Sequence, residues 1–243
     1  MKIITVKDYN EMSQKVAEYV IEKVNQNPNI TLGLATGGTP LGMYKYLIED
    51  HQKNKTSYQN AQSFNLDEYV GLSQDDPNSY NYYMYNEFFN HIDITKSNVH
   101  IPNGNAPDVQ KECIDYEALI EKNGGIDLQI LGIGNNGHIG FNEPGTSFQA
   151  KTHVIDLTPS TKEANARYFH SIEDVPAQAI TMGIATIMKS KEILLLISGE
   201  SKQAALSNLL HGEIDESSPA SVLRNHPCVT IFADEDALRD TGK

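Results

Sequence analysis

The chain has 243 residues, a formal charge of −13 at pH 7, two cysteines and no tryptophan. That length is enough to bury a sizeable core, and the acidity argues against a nucleic-acid partner, which needs a basic face to neutralise phosphates. Cys113 and Cys228 have neither the number nor the spacing of a disulfide framework or a metal site.

Met1 to Lys7 lacks the apolar core of a signal peptide and reads as an edge strand, and no apolar run approaches bilayer-spanning length. The expectation is a soluble, cytoplasmic protein with no membrane partner, built as one domain over residues 1–243. Tyr9 to Val24 places Met12, Val16, Tyr19, Val20 and Val24 at helical spacing, and Asn27-Pro28-Asn29 stops it. Ile30 to Ala35 is a continuous apolar run that ends at Thr36-Gly37-Gly38-Thr39-Pro40, and Pro40 begins a helix through Tyr44 and Leu47.

A second apolar run, Ala61 to Leu66, ends at Asp67. Pro77 to about His91 is an aromatic-rich helix, and Asp108 to Lys122 is another, closed by Asn123-Gly124-Gly125. A third run, Ile126 to Ile133, delivers the glycine-rich loop around His138. Thr158 to Phe169 and Pro176 to Lys189 read as helices; the strand Glu192 to Ile197 follows, then a helix from Ser201 to His211 and a last strand, Pro227 to Ala233. Alternation of near-continuous apolar strands with helices predicts an α/β fold, a mostly parallel Rossmann-like sheet with helices on both faces. In such a sheet the carboxyl ends of the strands open onto one crevice, where ligands bind.

Four polar loops reach that crevice. Thr36-Gly37-Gly38-Thr39 joins a buried strand to a helix, so its amides and the helix dipole favour an anion, although Gly-Gly can also be a plain tight turn. Gly132 to Gly137 matches the dinucleotide fingerprint G-x-G-x-x-G, but that motif requires a helix at its third glycine, and Gly140, Asn142, Pro144 and Gly145 forbid one. Within the same loop, His138 and Glu143 are five residues apart, close enough to pair. A carboxylate beside an imidazole fixes its tautomer, as a proton shuttle near neutral pH requires; the plain alternative is a histidine that ties the loop together. Asn136 can bond the same ring.

Asp67 at a strand end can act as a general base, or simply cap a helix or form a salt bridge; that plainer role is the expectation for Glu68. Lys202, after the strand ending at Ile197, sits where a cation can reach an anion held by the glycine loop, whereas Arg167 is a weaker inference from position. The remaining histidines have no metal-ligand spacing.

Phe64-Asn65-Leu66-Asp67-Glu68-Tyr69-Val70-Gly71-Leu72 with Ser79-Tyr80, the stretch Gly134 to Pro144, and Thr36-Gly37-Gly38-Thr39-Pro40 resemble the glucosamine-6-phosphate deaminase family, in unbroken order from the first strand to about Ala233. The resemblance implies conversion of glucosamine 6-phosphate and water to fructose 6-phosphate and ammonium, with no metal and no organic cofactor. It implies that His138, supported by Glu143 and Asn136, opens the sugar ring and that Asp67 moves a proton from C2 to C1. Thr36, Gly37, Gly38, Thr39, Arg167 and Lys202 match the phosphate site, and Tyr80 matches a residue of the family's lid. Asn136 departs from members that carry aspartate there.

Allosteric members of the family resemble hexamers that hold an activator phosphate on basic residues and a tyrosine of a longer carboxyl-terminal tail. Here those basic positions read His153 and Ile155 and the chain stops at Lys243, so a monomer or small homo-oligomer with hyperbolic kinetics is expected. Two other readings remain: a 6-phosphogluconolactonase-like hydrolase, disfavoured by the Asn-Leu-Asp-Glu-Tyr stretch, and a sugar-phosphate-sensing domain of a regulator, disfavoured by the lack of a basic DNA-binding segment.

Overall fold

The computed structural model describes residues 1–166, 169–239 and 241. Its larger sheet has seven parallel strands: β1 (Lys2–Val6), β2 (Thr31–Leu34), β3 (Gln62–Asn65), β5 (Val99–His100), β6 (Leu128–Gly132), β9 (Glu192–Ile197) and β10 (Val229–Asp234), in the order β1-β10-β9-β6-β2-β3-β5. A second sheet of three antiparallel strands, β4 (Asp67–Tyr69), β8 (Gln178–Thr181) and β7 (His153–Asp156), is joined to the first where the Met182 amide donates to Leu66 O at 2.6 Å.

The pleat of the parallel strands sorts the core into two layers. Leu32, Leu34, Leu128, Ile130, Leu194 and Leu196 face one side, against α1 (Tyr9–Gln26) and α2 (Gly38–Asn54) through Met12, Val16, Val20, Met43, Tyr44 and Leu47. Phe64, Leu131, Ile193, Leu195, Ile197 and Ile231 face the other, against α4 (Val109–Lys122) and α7 (Gln203–His211) through Tyr116, Ile120, Leu206 and Leu209. Strands covered on both faces are mostly apolar without a strict alternation, although Thr31, Ser63, Asn65 and Gln129 are buried polar exceptions. Truncating one of these leucines to alanine costs about 2–5 kcal/mol.

Order along the sheet decides where a ligand can sit. From β2 the chain moves outward to β3 and β5, then returns to the other side of β2 for β6 and continues to β9 and β10. The reversal lies between β2 and β6, so the loops that leave their carboxyl ends diverge and open a crevice. An ideal Cβ on Gly132, the last residue of β6, would meet the Thr39 side chain at 3.8 Å, which places the two loops side by side.

Three expectations are corrected. Pro176 to Lys189 is not a helix but β8 followed by the short α6 (Ile184–Ile187). Ile180 and Thr181 are β-branched and have strand partners on both sides, and Gly183 ends the strand where an added Cβ would lie 2.1 Å from Lys151 O; tertiary pairing overrides helical spacing here. The helix read as running to His91, α3 (Tyr80–Glu87), stops at Glu87 and continues as a separate turn, Phe89–His91. Asp67–Tyr69, read as loop, is a strand. No helix of the described residues is long and apolar enough to cross a membrane.

Candidate active site

Asp67 leaves the carboxyl end of β3 and opens β4, where it is paired with Thr181 of β8. Adjacent residues of a strand point to opposite faces, so Asp67 and Glu68 part company. Glu68 turns towards α3 and accepts the amides of Tyr69, Tyr80 and Asn81 at 2.8, 2.9 and 2.8 Å. It satisfies the first two amides of α3, the plainer role the sequence suggests, while Ser79 caps the helix through the Tyr82 amide. Burial pushes its carboxyl up, against the lowering effect of those three amides.

Among the described residues, Asp67 receives no such compensation. It is 7 % exposed, and burial, reinforced by the charge of Glu68, pushes its carboxyl up to about 8. Desolvation without a hydrogen-bond donor or a cation is the arrangement that makes a carboxylate a competent proton acceptor near neutral pH.

The loop after β6 folds back onto this carboxyl. Gly140 adopts φ +58°, and an ideal Cβ there would lie 3.0 Å from Thr181 Oγ1 and 3.7 Å from Asp67 Oδ2. Only glycine lets the loop backbone approach so closely in that conformation. The Phe141 amide donates to Thr181 Oγ1 at 3.1 Å, and the Asn142 side-chain amide donates to Ile139 O and Met182 O at 2.8 and 2.9 Å, fixing the loop to the end of β8. No helix opens at Gly137, so the dinucleotide match is coincidental.

The same loop brings His138, Glu143 and Asn136 together. Asn136 donates to Glu143 Oε2 at 2.7 Å, and its own oxygen accepts the His138 amide at 3.2 Å. His138 Nδ1 lies 3.5 Å from Glu143 Oε2, an ion-pair distance at which the ring nitrogen makes no well-formed hydrogen bond. The imidazole rests directly on Gly134, whose amide donates to His138 O at 2.9 Å.

Burial alone would push the Glu143 carboxyl up, but His138, Thr161 and Asn136 outweigh it and hold it at about 2. Two carboxyls on one crevice are thus driven in opposite directions, one towards holding a proton and one towards staying ionised. Thr161 was not legible beforehand. It stands on α5 (Pro159–Asn165) and donates its hydroxyl to Glu143 Oε1 at 2.6 Å.

Thr36 to Thr39 link β2 to α2. Gly37 has φ +91°, and nothing lies within 4 Å of an ideal Cβ on Gly37 or Gly38, so both backbones border open space. Two tyrosines that sequence reasoning missed brace this loop: Tyr83 of α3 donates to Gly37 O at 2.7 Å, and Tyr9 of α1 donates to Gly38 O at 2.7 Å while accepting the Gly42 amide at 2.9 Å.

Lys202 follows Gly199, which adopts φ +94° and donates its amide to buried Asp234 at 3.0 Å; Ser198 donates its hydroxyl to the same carboxylate at 2.5 Å. Tyr80, the first residue of α3, packs its ring 4.7 Å from that of Tyr69 and 6.2 Å from that of Phe141. Burial, then Tyr69 and Asp67, push its phenol up. Arg167 lies outside the described residues. Among the described residues no group of three or more His, Cys, Asp and Glu is placed to hold a metal ion.

Comparison with known proteins now adds to this geometry. Residues 7–231 match the family described as glucosamine-6-phosphate isomerases/6-phosphogluconolactonase. The chain is similar to the glucosamine-6-phosphate deaminase of Halalkalibacterium halodurans, 59% identical over 98% of this chain and 97% of that one. It is also similar to glucosamine-6-phosphate deaminase 1 of Bacillus subtilis, at 54% over 98% of each. A solved structure described as a monomeric glucosamine-6-phosphate deaminase superposes with a TM-score of 0.96 at 54% identity, covering 98% of this chain and 99% of that one. The 6-phosphogluconolactonase of Thermotoga maritima superposes with a TM-score of 0.76 at 23% identity over 96% of this chain and 99% of its own, a likeness of fold alone.

Proposed function

The chain belongs to the family of glucosamine-6-phosphate isomerases and 6-phosphogluconolactonases, and from that premise we infer that it is an enzyme converting glucosamine 6-phosphate and water to fructose 6-phosphate and ammonium. The observation that carries the reading is the meeting of two opposed carboxyls, Asp67 and the His138-paired Glu143, beside an open glycine loop at the sheet's reversal point.

The reaction needs a group for each of three tasks. The substrate phosphate is held by the amides and hydroxyls of Thr36, Gly37, Gly38 and Thr39 with the cations of Arg167 and Lys202. His138, oriented by Asn136 and Glu143, passes a proton between the sugar's hydroxyl and its ring oxygen, and the pyranose opens to the aldehyde. Asp67 then takes the C2 proton; the electrons of that bond form the C1–C2 double bond, and the aldehyde oxygen takes a proton from the substrate's C2 ammonium group to become a hydroxyl. The proton returns from Asp67 to C1, leaving a C2 iminium, to which water adds as the nitrogen departs with its protons as ammonium. Tyr80 walls the sugar site beside Asp67. No step calls on a metal or an organic cofactor.

An assay of ammonium and fructose 6-phosphate formed from glucosamine 6-phosphate, with 6-phosphogluconolactone as the other substrate, tests the activity. Lactone hydrolysis without ammonium release would overturn it. Lys202→Ala and Arg167→Ala should each weaken sugar-phosphate affinity about 10–100-fold, because each removes a charge-assisted contact. The comparison is glucosamine 6-phosphate against unphosphorylated glucosamine: a variant that keeps the original preference for the phosphorylated sugar places the phosphate elsewhere.

The form proposed is a single catalytic domain over residues 1–243, cytoplasmic, and a monomer or small homo-oligomer. Rates should be hyperbolic in substrate and unaltered by N-acetylglucosamine 6-phosphate. The motive is the site's want of cations: His153 turns its Nδ1 to Lys151 O at 2.7 Å, and Ile155 offers no charge. An effector with no differential affinity for two states cannot shift them. Sigmoidal rates made hyperbolic by the acetylated sugar would refute this.

A further inference from the structure

Glu143 is gripped from two elements. Its Oε2 takes the Asn136 amide at 2.7 Å and faces His138 Nδ1 at 3.5 Å, both from the loop after β6. Its Oε1 takes the Thr161 hydroxyl at 2.6 Å, from α5, eighteen residues further along the chain.

The direction of this contact follows from proton counting. An ionised carboxylate can only accept, so Thr161 must donate its single hydroxyl proton to it. The Thr161 oxygen can then only accept from Thr158, whose hydroxyl lies 2.9 Å away, and Thr158 in turn accepts the Thr161 amide at 3.2 Å as the cap of α5. The result is a one-way chain, Thr158 to Thr161 to Glu143, anchored at the start of a helix.

The carboxylate of a glutamate turns freely about its last torsion unless both oxygens are held. With Oε1 released, Oε2 is held by Asn136 alone, and the carboxylate plane can swing about that one contact and turn away from an imidazole to which its own bond is long. We propose that Thr161 is a positioning residue, which fixes the plane of the Glu143 carboxylate against the His138 ring and so makes the seating of α5 part of the ring-opening step. The proposal rests on the reading of His138 and Glu143 as the ring-opening pair.

The test uses the full chain and the ammonium-release assay. Thr161→Val keeps the shape of the side chain and removes the hydroxyl. It should lower kcat roughly tenfold, as expected for loss of one hydrogen bond to a charged group, with KM changed less than about twofold because the hydroxyl removed meets Glu143 and Thr158 rather than the groups proposed for the phosphate. Thr161→Ser should restore the rate. In a Glu143→Gln background, Thr161→Val should add almost nothing, because its whole effect passes through Glu143.

A Thr161→Val rate close to that of the unsubstituted protein would overturn the proposal. So would a loss that carries over in full into the Glu143→Gln background, since that is the behaviour of a purely structural residue. Absence of ammonium release by the unsubstituted protein would instead overturn the proposed function itself, and this inference with it.

Discussion

Asp67→Asn should cut turnover of glucosamine 6-phosphate by about 10²–10⁴-fold, the usual cost of removing a positioned base, while affinity for a non-reacting sugar phosphate stays near that of the unsubstituted protein. The amide keeps the shape of the carboxyl and cannot accept the C2 proton. The residues proposed to hold the phosphate, Thr36 to Thr39 and Lys202, follow other strands, β2 and β9, and do not depend on the charge of Asp67. Turnover in the variant close to the original rate would remove Asp67 from the mechanism.

The same carboxyl sets a pH dependence whose sign can be worked out. Asp67 accepts a proton only when ionised, and its carboxyl is pushed up to about 8. The ratio kcat/KM, which reports the free enzyme, should therefore climb with pH through that region, and the climb should disappear in Asp67→Asn. Stability runs the other way. The folded value lies above the unfolded value of about 4, so between the two the folded state holds the extra proton, and stability falls as pH rises through the window. Near pH 9 Asp67→Asn should be the more heat-stable protein, by on the order of a few kcal/mol; a melting temperature lower than that of the unsubstituted protein at that pH would show that the buried charge is compensated.

The parts of this architecture that were legible in the sequence are those set by local chemistry. Near-continuous apolar runs announced β2, β6 and β9 because both faces of each are covered, whereas β3 carries a single apolar residue, Phe64, among polar ones, and the breakers after Gly137 excluded a nucleotide-binding helix because they act on their own backbone. The five-residue spacing of His138 and Glu143 is likewise a property of one loop. What escaped depends on distant partners. Asp67–Tyr69 and His153–Asp156 are strands only because Gln178–Thr181 lies between them, and two-residue β5 exists only beside β3. Thr161 reaches Glu143 from another element, Tyr83 reaches Gly37 across 46 residues, and Asp234 reaches Gly199 across 35. No periodicity records such contacts; a hydroxyl on a helix surface looks the same in sequence whether it meets water or a carboxylate.

Gly134→Ala should lower turnover by about 10²-fold without unfolding the protein, the scale expected when a reacting group is displaced by about 1 Å. Gly134 is not among the residues with positive φ, so alanine is compatible with its backbone, and its amide can still donate to His138 O. The obstacle is the imidazole. An ideal Cβ on residue 134 would lie 2.2 Å from His138 Cε1, 2.3 Å from Nδ1 and 2.4 Å from Nε2, far inside van der Waals contact. The ring must therefore move, and any movement off Gly134 changes the 3.5 Å approach of Nδ1 to Glu143. Because the loop proposed to hold the phosphate, Thr36 to Thr39, follows β2 rather than β6, binding of a sugar phosphate should be nearly unchanged, which separates a displaced imidazole from general damage. Rates and affinities for the variant and the unsubstituted protein, together with their melting temperatures, make the comparison. If Gly134→Ala turns over at the original rate with its fold intact, the seat of the imidazole on Gly134 has no part in ring opening, and the role given to the His138–Glu143 pair loses its geometric basis.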